Sequence, residues 1–228
     1  MDELEILLRD GIVAEAFHAE KNLCIYKNVA DEYEFINKQS VAQSKLYEYI
    51  QTSAQDSFVL ALSKLFDRPF RNYPNKCVEV FLNKVRERNA QMKPIVETSQ
   101  LKNMLTSLNC PEFFIASINK SPSEFYHAFC DYFEEKYNNP TIQSSINTLR
   151  KFRDKAIAHN ETKEVSINIQ EIRALLDYAE QLYSIFGMAY SSTIFGDLYS
   201  LKHNAEMEAY FIKNTIERLK EVNSLMVQ

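Results

Sequence analysis

Hydrophobic residues recur with the period of an α-helix along most of the chain, and the pattern is clearest in the segment that ends at His159. Its apolar residues are separated by four, three and seven positions and share one helical face: Ile142, Ile146, Leu149 and Ala156. Asn139 and Pro140 supply an N-cap and a proline at the first helical position. On this helical wheel Arg153 lies about 40° from Leu149, inside the apolar stripe. A guanidinium in that place is costly unless it is paired or functional.

Similar patterns predict helices over most of the remaining chain. We expect a helix over residues 2 to about 38 with a break near Gly11, and a long helix that Ser40 and Gln43 open as a capping box. The apolar stripe of that long helix runs from Leu46 to Phe66. Further helices are predicted after Asn75, Pro94, Pro111, Ser121 and Asn168, and the last runs over about 193–225. These eight or so helices predict an all-α fold and a single domain over 1–228.

The composition narrows the class of protein. Only three glycines occur in 228 residues, which fits a helical fold, and the net charge of −5 argues against a surface that binds nucleic acid throughout. The four cysteines lack metal-site spacing and are expected to be free thiols. The start of the chain does not resemble a signal peptide, and no apolar stretch is long enough to span a membrane. We therefore expect a cytoplasmic protein.

The chemistry offered by the sequence centres on Arg153 and His159. The chain has no phosphate-binding glycine loop, zinc motif or serine nucleophile elbow, and we expect no metal and no cofactor. A histidine that exchanges a proton and cations that hold a phosphate suffice to cleave RNA without metal. In this interpretation Asp154 orients a partner or the RNA. Residues six apart on a helix are about 9 Å apart along its axis, so two chains related by a two-fold axis would assemble the site more easily than one.

A structural interpretation explains the same residues. Arg153 would form an internal salt bridge, and His159 would lie at a helix C-terminus, where the helix dipole favours it. Spacing alone favours this alternative, and the lone His18 is also interpreted as structural. The segment LSKLFDR places Asp67 and Arg68 at the end of a long apolar helix. We predict that one of them lies near the Arg153 helix; an exposed helix cap is about as well supported.

The segment RDKAIAHN resembles the signature of HEPN domains, which consists of an arginine, a polar residue and a histidine after four to six intervening residues. Arg153, Asp154 and His159 match these three positions. The segment FVLALSKLFDR, residues 58–68, resembles a stretch in the branch of HEPN proteins named after phage abortive-infection factors.

The resemblance covers about residues 40–185 and implies a HEPN-like helical bundle there, with additional long helices at both ends of the chain. It also implies a homodimer with the paired motifs in an interface cleft. Many members are metal-independent ribonucleases of toxin–antitoxin or antiphage systems, and others are non-catalytic modules that bind RNA, nucleotide or a partner protein. We therefore expect catalytic roles for Arg153, His159 and Asp154. Four neighbouring residues are expected to bind the RNA substrate: Arg150, Lys151, Lys155 and Asn160. An antitoxin protein is a possible further partner.

Overall fold

The computed structural model describes residues 2–69, 76–95, 97–154, 168–191 and 198–226, and all regular structure within these ranges is helical. The α-helices are α1 (Glu3–Leu7), α2 (Ala14–Ala30), α3 (Tyr33–Ile36), α4 (Val41–Phe66), α5 (Val78–Glu87), α6 (Thr98–Ser107), α7 (Glu112–Ser117), α8 (Pro122–Tyr137), α9 (Pro140–Phe152), α10 (Ile169–Ser191) and α11 (Leu198–Met226). A π-helical segment, Leu8–Val13, joins α1 to α2, and a short 3-10 helix covers Asn89–Gln91. The predicted all-α fold is confirmed. No helix in the described ranges is both long and apolar enough to cross a membrane.

The predicted caps at Ser40, Ser121 and Asn139 are confirmed. Ser40 and Ser121 form reciprocal capping boxes with Gln43 and Glu124, so each pair satisfies two free backbone N–H groups. Asn139 accepts a hydrogen bond from the backbone N–H two residues later, and Pro140 opens α9. These local signals fix where α4, α8 and α9 begin.

At Gly11 the helix changes to π-helical geometry, and the predicted break in the helix does not occur. The helix continues through it as the π-helical segment, where Gly11 is buried. A Cβ atom added at Gly11 would lie 2.6 Å from the Lys76 Cβ and 3.2 Å from the Lys76 carbonyl oxygen. The glycine is therefore required by close packing against the residues that precede α5.

The main core surrounds α10, in which 15 of the 23 residues are buried. Aromatic rings from α5, α8 and α10 meet there, with Phe81 and Phe186 at 4.8 Å between ring centres and Phe129 and Phe133 at the same separation. The aromatic stripe of α8 is thus part of the core. Helices α4 and α9 pack on the same core through Phe58, Phe66 and Phe152.

A second, smaller core lies between α2, α4 and α11, with Tyr47, Ile212 and Ile216 among its buried residues. Its position corrects the predicted stripe of α4, because Leu46 is 56% exposed and Tyr47 is buried in its place. The first turns of α4 direct Tyr47 into this smaller core. Four apolar side chains of α4 are exposed and are not covered by the described part of the chain: those of Val41, Leu46, Tyr49 and Leu60.

A buried ionic cluster joins α2 to α10. The fully buried Glu20 carboxylate accepts a hydrogen bond from the Arg173 guanidinium, and Asp177 and Glu180 lie 3.7 and 4.0 Å from the same arginine. Glu180 is 4% exposed, and one of its carboxylate oxygens has no hydrogen-bond partner among the described residues. Burial, and then the negative charge of Glu20, raise the pKa of Glu180 to about 7.

Candidate active site around Arg153

Two carboxylates hold Arg153 at the C-terminal end of α9. Its Nη1 donates a hydrogen bond to Asp67 Oδ1 at 2.8 Å, and its Nε donates to Asp154 Oδ1 at 2.9 Å. The arginine side chain is 26% exposed and that of Asp67 is 32% exposed, so this ion pair is only partly open to water. The helix continues as a π-helical turn at Arg153 and Asp154, a geometry that recurs at functional sites.

Arg153 keeps its charge and part of its donor capacity. Burial lowers the pKa of the guanidinium, but the hydrogen bonds to Asp154 and Asp67 outweigh that effect and raise the pKa above its ordinary value. Contacts within the described residues use two of the five N–H groups that an arginine carries. The guanidinium can therefore bind an anion while it remains anchored.

The two sequence segments that resemble HEPN proteins meet in the fold. Asp67 ends α4 as its C-cap and bonds Arg153, and Arg150, one turn before Arg153, donates to the Phe66 carbonyl. The prediction that Asp67 or Arg68 lies near the Arg153 helix is confirmed for Asp67. Arg150 satisfies a carbonyl oxygen that the end of α4 leaves free.

A surface depression of about 320 Å³ adjoins this arginine. Helix α4 forms most of its wall, Asp67 and Arg153 lie at one end, and His18 of α2 also lines it. His18 is exposed, and it was interpreted from the sequence as structural. Helical periodicity cannot predict that His18 and Arg153 line the same depression. His18 reaches this position through the tertiary contact between α2 and α4.

The remaining predicted site residues divide into two groups. Lys151 is exposed on the final turn of α9, and Asp154 is exposed in the π-helical turn that follows it. Lys155, His159 and Asn160 lie outside the described residues. The distance between Arg153 and His159 therefore lies outside the described structure as well. In the ranges that the structure describes, no group of three or more histidine, cysteine or acidic residues has a metal-binding arrangement.

Comparison with protein families gave a match over residues 2–209 to the HEPN family model described as AbiU2. The chain belongs to the AbiU2 family of HEPN domains. Comparisons with curated proteins and with solved structures gave no match.

Membership of the HEPN AbiU2 family makes the chain an abortive-infection HEPN-like module. The match begins at residue 2 and so includes α1 and α2 as well as the two segments that carried the resemblance. Of the three residues that resemble the HEPN signature, the structure describes Arg153 and Asp154, and Asp67 is bonded directly to Arg153.

Proposed function

We propose that this HEPN protein is a metal-independent endoribonuclease of toxin or antiphage-defence type. The observation that carries the proposal is a charged, partly exposed Arg153 anchored by Asp67 at the start of the HEPN signature. In the proposed reaction His159 takes the proton from a ribose 2′-hydroxyl, and the resulting oxyanion attacks the adjacent phosphorus. The bond from phosphorus to the 5′-oxygen breaks, and the leaving oxygen gains a proton. The products are a 2′,3′-cyclic phosphate and a 5′-hydroxyl.

Arg153 would stabilise the charge that develops on the phosphate oxygens. A guanidinium presents two parallel N–H groups to two oxygens, and the Asp67 hydrogen bond restricts its orientation before RNA binds. Asp154 completes this restraint from the other side. Lys151, Lys155 and Asn160 are proposed to bind the flanking RNA. Arg150 would keep the end of α4 close to this RNA through its bond to the Phe66 carbonyl.

A homodimer is part of the proposal, with α9 and its continuation at the interface. The exposed side chains of Leu46 and Tyr49 support it, because they lie on the same helical face of α4 as Asp67. Burying these side chains against a second copy would give the dimer an apolar contact area along α4. Light scattering at micromolar concentration tests this part, and a monomeric mass would contradict it.

The deciding experiment incubates the purified protein with structured and unstructured RNAs in the presence of EDTA. We expect cleavage by the wild type and a loss of about 100- to 10,000-fold in His159→Ala, the usual range for a general acid–base. Arg153→Lys keeps the charge but loses the planar pair of donors, and we expect it to be mostly inactive. His127→Ala is the matched control, since this exposed histidine lies on α8. Cleavage that persists in His159→Ala, or that EDTA stops, would overturn the mechanism.

A non-catalytic HEPN module that binds RNA, nucleotide or a partner protein is the second candidate. The observation that favours it is the pairing of Arg153 with two carboxylates of its own chain, which balances its charge without any ligand. RNA binding without cleavage in the same experiment would support this candidate.

A further inference from the structure

The depression beside Arg153 has the size and lining of a site for one nucleotide. Its volume of about 320 Å³ is at the lower end of the range for small-ligand pockets. We propose that it binds a single nucleotide unit of RNA whose base carries an exocyclic amino group, next to the phosphate that Arg153 holds. That the ligand is RNA rests on the proposed function. The new element is the preference of the depression for particular bases.

The walls of the depression match the flat faces of a base. Leu60 and Ala61 of α4 provide an apolar surface, and the exposed imidazole of His18 lines the depression from α2. Unstacked RNA bases are commonly held on aromatic side chains, histidine included, and on apolar surfaces. These three residues are therefore assigned to stacking and apolar contact.

Ser63 supplies the strongest sign that the depression takes a polar ligand. The side chain is 2% exposed, and its hydroxyl has no hydrogen-bond partner among the described residues. A buried hydroxyl without a partner is unfavourable, and such groups are few in folded proteins. Because Ser63 lines the depression, a base edge placed there would give this hydroxyl a partner once the atoms that cover it move aside.

Asp67 and Arg153 set the orientation of the nucleotide. Asp67 Oδ1 accepts the hydrogen bond from Arg153, and a carboxylate has further acceptor positions. An exocyclic amino group of adenine, cytosine or guanine can donate to this carboxylate, whereas uracil offers only its ring N3–H, which lies between two carbonyl oxygens that the carboxylate would repel. The remaining N–H groups of Arg153 then face the phosphate of the same nucleotide. Asp67 therefore recognises the base, and Arg153 recognises the phosphate.

Nucleotide binding by the full chain tests the inference without relying on cleavage. The ligands are the four 3′-mononucleotides, ribose 5-phosphate as a base-free control, and 2′-O-methyl trinucleotides that lack the attacking hydroxyl. Binding is followed by NMR at the His18 ring and at the α4 amides. We expect adenine, cytosine or guanine nucleotides to bind more tightly than uridine nucleotide and than ribose 5-phosphate. Tighter binding of the trinucleotides than of the mononucleotides would identify RNA, and not free nucleotide, as the ligand.

Three variants make the test specific. Ser63→Ala is expected to weaken binding about 5- to 10-fold, the effect of one lost hydrogen bond, without lowering the melting temperature, because the hydroxyl has no partner to lose. His18→Ala is expected to weaken it about 10-fold through lost stacking. Ser184→Ala is the matched control: Ser184 is also 2% exposed with an unpartnered hydroxyl, but it lies on α10 and does not line the depression.

The outcomes separate this inference from the proposed function. Binding with the expected base preference but no RNA cleavage would retain the nucleotide site and reject the ribonuclease. RNA cleavage with unchanged binding and unchanged base preference in both Ser63→Ala and His18→Ala would retain the ribonuclease and overturn the nucleotide site. Equal binding of all four mononucleotides and ribose 5-phosphate would also overturn it, since the base would then contribute nothing.

Discussion

The ion pair between Asp67 and Arg153 connects the end of α4 to the end of α9 and should contribute measurably to stability. The two residues are separated by 86 positions, their contact is 2.8 Å long, and their side chains are 32% and 26% exposed. Fully exposed pairs contribute about 0.2 to 1 kcal/mol, and hydrogen bonds to charged groups about 1.5 to 3 kcal/mol. Partial exposure places this pair between these ranges, so we expect a coupling free energy of about 1 kcal/mol.

A double-mutant cycle with Asp67→Ala and Arg153→Ala measures this coupling. Because Arg153 also bonds Asp154, the single arginine variant loses two contacts, and the cycle isolates the one with Asp67. Urea unfolding followed by circular dichroism and by tyrosine fluorescence gives the free energies; the chain has 13 tyrosines and no tryptophan. The two signals must report one transition for the free energies to be used.

The pair Arg9 and Asp10 provides a matched control for the cycle. It also joins an arginine to an aspartate, at 2.7 Å, but its side chains are 49% and 40% exposed and adjacent in sequence. We expect no measurable coupling in the corresponding Arg9→Ala and Asp10→Ala cycle. An Asp67–Arg153 coupling no larger than that of this control would refute the reasoning that the pair holds α4 to α9.

Two further predictions concern stability. Gly11→Ala should lower the free energy of unfolding by about 1 to 2 kcal/mol although alanine favours helices, because the new Cβ would meet Lys76 at 2.6 Å; an unchanged or higher urea midpoint would contradict this. Glu180 has a pKa of about 7 in the folded chain against 4.5 for the free group, so the folded state binds more protons between these values. Stability contributed by protonated Glu180 is therefore present below about pH 4.5 and is lost as the pH rises to 7. Glu180→Gln should be more stable relative to wild type at pH 8 than at pH 5, and urea midpoints that shift equally at both pH values would argue against a raised pKa.

Much of the helical organisation could be predicted because its signals are local. Caps at Ser40, Ser121 and Asn139 depend on residues within one turn, and the helical period identifies apolar faces without knowledge of their partners. The prediction was wrong for Leu46, which is exposed, whereas the neighbouring Tyr47 is buried. The period alone cannot show which neighbour covers a face, and Tyr47 is buried in a cluster that includes Ile212 and Ile216, more than 140 residues further along the chain.

The candidate site was predictable in part for the same reason. An arginine on an apolar face and an aspartate at the end of an apolar helix each require a partner, which pointed to the contact between Asp67 and Arg153. The depression lined by His18 and Ser63 gave no such signal, because neither residue is unusual in its own helix. Its existence depends on how α2 crosses α4, which is a property of packing.

The buried pair of Glu20 and Arg173 has a consequence for the order in which the chain folds during synthesis. Its partners are 153 residues apart, so Glu20 has no arginine to neutralise it until α10 has been made. At about 5 to 20 residues per second, a ribosome needs roughly 8 to 30 s to travel between them. During that interval burial of Glu20 is unfavourable, and α2 is expected to stay open to solvent on that side. Because α2 also carries His18, the depression beside Arg153 would be completed only after nearly the whole core has been synthesised.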